Sequence, residues 1–263
     1  MRTIRATISS IFLFLLPFCS FGWGVLGHRI VGQIAESYLT PKARIAIQKI
    51  LGGESIAMVS NWADFIKSDS AYQYIYNWHF IDVDSGLTKT ELRDYLQKDT
   101  ATDLFTKTNF LIRQLKNKHL SMDKKRMYLK LLIHFVGDIH QPFHIGRHAD
   151  LGGNKIKLTW FSTPTNLHAI WDEQLVNFQQ LSYTEYTMAI NRNTNAKQRL
   201  TWQKQPISEW IIESHQLAER LYSEVTPDQK LSYRYNYDNI QVLNERLLKA
   251  GVRLAGLLNE LFV

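Results

Sequence analysis

A chain of 263 residues, 45% hydrophobic and 21% charged with six prolines, is long enough for one domain with a substantial core or two small ones. Its formal net charge of +7 suits an anionic substrate, nucleic acid or a phospholipid head group, without choosing between them. A single cysteine excludes a disulfide framework, and the chain carries no internal repeat, low-complexity tract or long linker.

The N-terminus joins a basic stretch, MRTIR, to an apolar run, ISSIFLFLLPF, and the small-residue ending SFG, the three parts of a cleavable export signal. The expected cut follows Gly22, giving residues 1–22 as signal and 23–263 as one mature domain. The apolar run is too short to span a bilayer comfortably, and no later segment approaches the required length. Cys19 leaves with the signal, so the mature chain forms no disulfide and depends on packing or bound metal. Arg2 and Arg5 leave too, which lowers the charge to +5.

Most of the remainder reads as helix. GHRIVGQIAESYL sets Ile30, Ile34 and Leu39 near one face. KTELRDYLQ, LFTKTNFLIRQLKNK and DKKRMYLKLLIHFVGDIH repeat apolar residues at three- and four-residue spacing. KIKLTWF (155–161) alternates as a strand does, and the paired glycines of the preceding DLGGN suit a tight turn. NIQVLNERLLKAGVRLAGLLNELF closes the chain as a long amphipathic helix. The expected fold is a mainly α single domain with a small β-hairpin.

Nine histidines are placed informatively. In HFVGDIHQPFH (134–144), His134 and Asp138 are four apart and emerge from one helix face, while Pro142 stops the helix and turns His144 out of line. NLHAIWDEQL repeats the spacing with His168 and Asp172. NWADFIKSDSAYQYIYNWHF adds Asp64 and, fifteen residues on, His79. Imidazoles and carboxylates without thiolate suit zinc or another divalent first-row metal. A lone pair of this kind is more often a surface hydrogen bond or a capping contact than a metal site. Three such elements in one exported, cysteine-free chain nonetheless lead, by spacing alone, to an exported metalloprotein. No HExxH motif, phosphate-binding loop or nucleophile elbow is present. His119, His148 and His215 are expected to face solvent. His140 is expected to orient a ligand, and Arg147 sits with His148 in a loop that can reach phosphate.

Taken in order, WGxxGH from Trp23, NWAD, WHFID, HFVGDIHQPFH, GGN and NLHAIWD resemble the zinc-dependent single-strand-specific nucleases of the S-one/P-one type, which share a helical fold with zinc-dependent phospholipase C. The resemblance runs from residue 23 to 173. It implies three zinc ions: one on Asp64, His79, His134 and Asp138; a neighbour on Asp138, His28 and the α-amino group and carbonyl oxygen of Trp23; a third on His144, His168 and Asp172. It also implies hydrolysis of single-stranded DNA and RNA to products with 5′-phosphates, action on 3′-nucleotides, and catalytic roles for Asp64 and Lys67. Lys67 stands where the family usually has arginine, and Ala63 where it often has tyrosine. Phe80 and Leu151 would flank a base whose edge Asp82 and Asn154 bond. The protein is expected to be a periplasmic or secreted monomer without stable membrane association. Two other readings share these residues: a phospholipase C on the same scaffold, disfavoured because that family resembles His-x-x-x-Glu where this chain has His168 and Asp172, and a non-catalytic zinc-binding periplasmic protein.

Overall fold

In the computed structural model, residues 23–262 are described, and the expected signal segment lies outside them. The chain enters through α1 (Val25–Ser37), whose Ile30, Val31, Ile34 and Ala35 are buried, and turns into α2 (Pro41–Leu51). Thr40 caps α2 through the Ala43 amide, and Pro41 fills a first-turn position where no amide partner is needed. Two short helices, α3 (Ile56–Val59) and α4 (Trp62–Ile66), lead into a ten-residue 3-10 helix, Ser70–His79. Next come α5 (Lys89–Lys98) and α6 (Leu104–Leu115), each opened by a capping box.

The helix that organises the molecule is α7 (Met122–His140). Every residue from Leu131 to His140 is buried, so this helix has neighbours on all sides rather than one wet face. It ends before Pro142, and a 3-10 turn over Pro142–Ile145 redirects the chain as the sequence implies. Strands β1 (Lys157–Trp160) and β2 (Thr163–Asn166) form the expected hairpin. The fold adds to it: β3 (Lys230–Leu231) pairs in parallel with β1, making a three-stranded sheet. Two residues are too few to leave an alternating pattern, which is why this strand is silent in the sequence.

Beyond the hairpin, α8 (Leu167–Ala169), a π-helical turn over Ile170–Gln174 and α9 (Leu175–Phe178) run as one broken helix. Then follow α10 (Tyr183–Ile190), α11 (Ala196–Gln203), α12 (Ile207–Ser223) and α13 (Tyr233–Leu261). The closing helix packs along α1 and α7 with Leu243, Leu247, Ala250, Val252, Leu254 and Leu258 buried. The fold is mainly α, and among the described residues no helix is long and apolar enough to cross a membrane.

Candidate metal centre

Three segments deliver side chains to one buried cluster: α1 gives His28, α4 and the following 3-10 helix give Asp64 and His79, and α7 gives His134 and Asp138. His28 lies flat on His134, ring centroids 3.8 Å apart and planes 18° from parallel. That approach depends on Gly137, because a Cβ there would come within 2.7 Å of His28 Nδ1. His28, Asp64 and His134 converge, as do His79, His134 and Asp138, so the two groups share His134 and form one continuous cluster. His144, His168 and Asp172 form a third group.

Hydrogen bonds to main-chain carbonyls set the histidine tautomers. His134 Nδ1 donates to Ser60 O at 2.7 Å, His144 Nδ1 to His79 O at 2.6 Å and His168 Nδ1 to Gly152 O at 2.6 Å. With Nδ1–H committed to a carbonyl, each ring turns Nε2 toward a carboxylate. His134 Nε2 lies 3.2 Å from Asp138 Oδ2 and 3.5 Å from Asp64 Oδ1. His168 Nε2 and His144 Nε2 lie 3.1 and 3.8 Å from the two oxygens of Asp172. An Nε2 lone pair facing a carboxylate in a dry site is repelled unless a proton or a metal cation lies between them. Among buried atoms without a hydrogen bond are both nitrogens of His28, His79 Nε2, His144 Nε2 and Asp138 Oδ1. The donor set, its tautomers and its unmet valences fit divalent metal, with carbonyl partners behind the rings in the usual way.

Protonation follows the same logic. Burial pushes the Asp64 carboxyl upward, yet His134, Lys67 and His79 together outweigh it and hold it at about 2. Asp138 is also held below the ordinary carboxylate range, burial being overcome by His134 and His144. Burial lowers His28, and it brings His79 down to about 4. His134 and His168 move upward, since the facing carboxylates exceed the effect of burial. Lys67 Nζ is 2.8 Å from Asp64 Oδ1, at the edge of the cluster.

Segment 80–83 runs beside 144–148, with Ile81 N donating to His144 O at 2.9 Å and Val83 N to Gly146 O at 3.0 Å. This brings Phe80 and Asp82 onto an extended segment next to the turn that carries Leu151 and Asn154. Leu151 is 51% exposed with φ of 55°, and Asn154 Nδ2 donates to its carbonyl at 2.8 Å. Gly152, at φ of 60°, lets the turn close against Phe143 O, which a Cβ would meet at 2.4 Å. Trp23 is fully buried, and the Gly24 amide donates to Asp172 O at 2.8 Å, tying the start of the described chain to the third group.

Several expectations change. His215 is buried against Ile145 O rather than solvent-facing, because α12 packs on the 3-10 turn after α7. His140 turns toward α13, where its Nε2 meets Arg253 Nη1 at 2.9 Å; among the hydrogen bonds its ring makes, none is to a metal-group side chain. Arg147 is held bidentately by Glu219 at 2.8 and 2.9 Å and lies over Tyr222, so its fork is already paired within the fold. His148 is exposed as expected, 3.7 Å from Asp82. The helix bearing His168 and Asp172 is interrupted by a π turn at Asp172 rather than regular. Gln141 was not apparent from sequence: buried, it donates to Asp172 Oδ1 and accepts from Phe143 N. Its only signal is its seat between two ligand positions in HFVGDIHQPFH.

The profile of the family described as S1/P1 Nuclease matches residues 23–263. The chain belongs to the S1/P1 nuclease family. It is 31% identical to Endonuclease 3 of Arabidopsis thaliana over 91% of this chain and 89% of that protein. Nuclease S1 of Aspergillus oryzae is 31% identical, covering 91% of this chain and 92% of its own length, and Nuclease P1 of Penicillium citrinum 29%, covering 91% and 97%. Nucleases of this family are zinc-dependent hydrolases, and the three buried His/Asp groups supply the matching donors. These likenesses set the phospholipase reading aside.

Proposed function

We propose that the protein is an exported tri-zinc endonuclease that cleaves single-stranded DNA and RNA to 5′-phosphate products and also hydrolyses 3′-nucleotides. The observation that carries this reading is the convergence of buried histidine nitrogens on the carboxylates of Asp64, Asp138 and Asp172, with both nitrogens of His28, His79 Nε2, His144 Nε2 and Asp138 Oδ1 left without a hydrogen bond.

Asp64, His79, His134 and Asp138 hold one ion; Asp138, His28 and the main chain of Trp23 hold its neighbour; His144, His168 and Asp172 hold the third. A main-chain amine ligates only as a free, neutral N-terminus, so cleavage after Gly22 is a condition of activity. The family profile's match from residue 23 supports that start. Bound zinc supplies Lewis acidity toward phosphoryl, water and leaving 3′ oxygens.

The chain's own residues do the rest. Asp64 stays ionised across the neutral range and orients the attacking water in line with the scissile bond. Lys67, held beside Asp64, sets a positive charge against the developing negative charge on phosphorus-bound oxygens. Lysine is a point charge and lacks the bidentate fork of arginine, so it neutralises phosphate while constraining its orientation less. Phe80 and Leu151 hold an unstacked base whose edge Asp82 and Asn154 bond, and a base can reach them only from a single strand. Export removes the signal, and the mature monomer acts in the periplasm or outside the cell without membrane association.

The test offers purified protein single-stranded DNA, the matching duplex and phosphatidylcholine. Cleavage confined to the single strand supports the reading, and hydrolysis of lipid alone overturns it. A variant with one extra residue before Trp23 is expected to fold yet lose most activity. Full activity from it contradicts a role for the terminal amine.

A further inference from the structure

Next to the metal cluster lies a cavity of about 360 Å³ lined by Lys67, Gln73 and Tyr76, within the size range of small-ligand sites. A 3-10 helix places residues three apart in one row, so Gln73, Tyr76 and His79 share an edge of the Ser70–His79 helix that leads into the cluster. Runs of that length are uncommon and mark a constrained segment. The Tyr76 side chain is not core: the residue is 56% exposed, while its ring edge meets Phe80 at 6.0 Å and 81°. Lys67 joins the two places, bordering the cavity and pairing with Asp64 at 2.8 Å.

Resting on the nuclease reading above, we infer that this cavity binds the nucleoside on the 3′ side of the scissile phosphate, its base stacked on Tyr76. If the base at Phe80 belongs to the nucleoside that leaves with a free 3′ oxygen, the phosphate lies at Asp64 and Lys67. The strand then continues past Lys67, where Tyr76 is the aromatic that lines the cavity and Gln73 the neighbouring amide. An aromatic face accepts any base, so the site adds affinity for a strand without adding base preference.

A 3′-nucleotide has no nucleoside on that side of its phosphate, which gives a clean comparison. Steady-state kinetics on a dinucleotide and on a 3′-mononucleotide are measured for wild type, Tyr76→Ala, Tyr76→Phe and Gln73→Ala. The Tyr76→Ala variant is expected to lose about tenfold or more in kcat/KM on the dinucleotide, mainly through KM, an effect several times larger than on the mononucleotide. Tyr76→Phe keeps the stacking face and restores the dinucleotide value. Gln73→Ala shows the same selectivity with a smaller loss, and serves if Tyr76→Ala fails to fold. Equal losses on both substrates, or none on the dinucleotide, overturn the inference while leaving the nuclease reading intact. Failure of wild type to cleave the dinucleotide overturns both.

Discussion

Helix α7 separates two buried polar clusters made from similar ingredients. On one side stand His134 and Asp138 with His28, Asp64 and His79. On the other, Arg246 and Arg253 of α13 enclose Glu213 of α12 and the C-terminal end of α7. Arg246 Nη1 donates to Glu213 Oε2 at 3.1 Å and its Nε to His140 O at 3.1 Å. Arg253 Nη2 donates to Glu213 Oε1 at 2.9 Å, and Ser214 donates to Ile139 O while accepting from Arg246. Here donors meet acceptors, and Arg253 Nε alone among these groups lacks a partner. In the first cluster both nitrogens of His28, His79 Nε2 and Asp138 Oδ1 are left without a hydrogen bond. Burial of charge therefore does not distinguish a site from a scaffold; whether the valences close does.

The largest expected effect comes from Asp138→Ala. Because its oxygens approach His28, His79 and His134, the substitution should remove metal from both groups of the shared cluster and lower kcat/KM by about a thousandfold or more. Loss of one ion with its neighbour retained would break the claim of a shared carboxylate.

Arg253→Met sharpens the comparison from the other side. Removing the buried Arg253 leaves half-buried Glu213 to Arg246 and Lys249 and is expected to cost about 1.5–3 kcal/mol in urea unfolding. Metal content per folded chain should stay at the wild-type value. A fall in metal content would mean the arginine cluster belongs to the site after all.

Gln141→Ala tests an intermediate case, a residue that touches a ligand without being one. It should weaken metal held by His144, His168 and Asp172 by about 10- to 100-fold in a chelator competition, with little change at the other group. The smallest effect concerns pH. Burial raises the Glu213 carboxyl, but Arg253, Arg246 and Lys249 outweigh it and hold it at about 2, below its ordinary 4.5. A depressed folded-state pKa gives stability that is complete above the unfolded value and drains as pH falls toward the folded one. Denaturation midpoints should thus decline between about pH 4.5 and 2, and less steeply in Glu213→Gln.

The sequence revealed these two clusters unequally. His134 and Asp138, and His168 and Asp172, announce themselves because local helical spacing brings each pair to one face, even across the π turn. Arg246 and Arg253 sit seven apart on the stripe that also buries Leu243, Leu247, Ala250 and Leu254. Read locally, they pass for the solvated side of an amphipathic helix. Their partner Glu213 lies on another helix, and no short-range pattern links it to them. His215 departs from its expected exposure for the same reason: its burial is decided by the docking of α12 on the turn after α7. Periodicity reports which face a helix hides, whereas the pairing of polar groups across helices is set by tertiary packing.

The proposed three-ion centre, completed by the N-terminus of the processed chain, rests on the open valences beside α7. Zinc content of the mature protein, measured together with its first residue by intact-mass spectrometry, tests this most directly. The expected result is three zincs per chain and a chain that begins at Trp23. One zinc or none, or three zincs on a chain still carrying residues before Trp23, would contradict it.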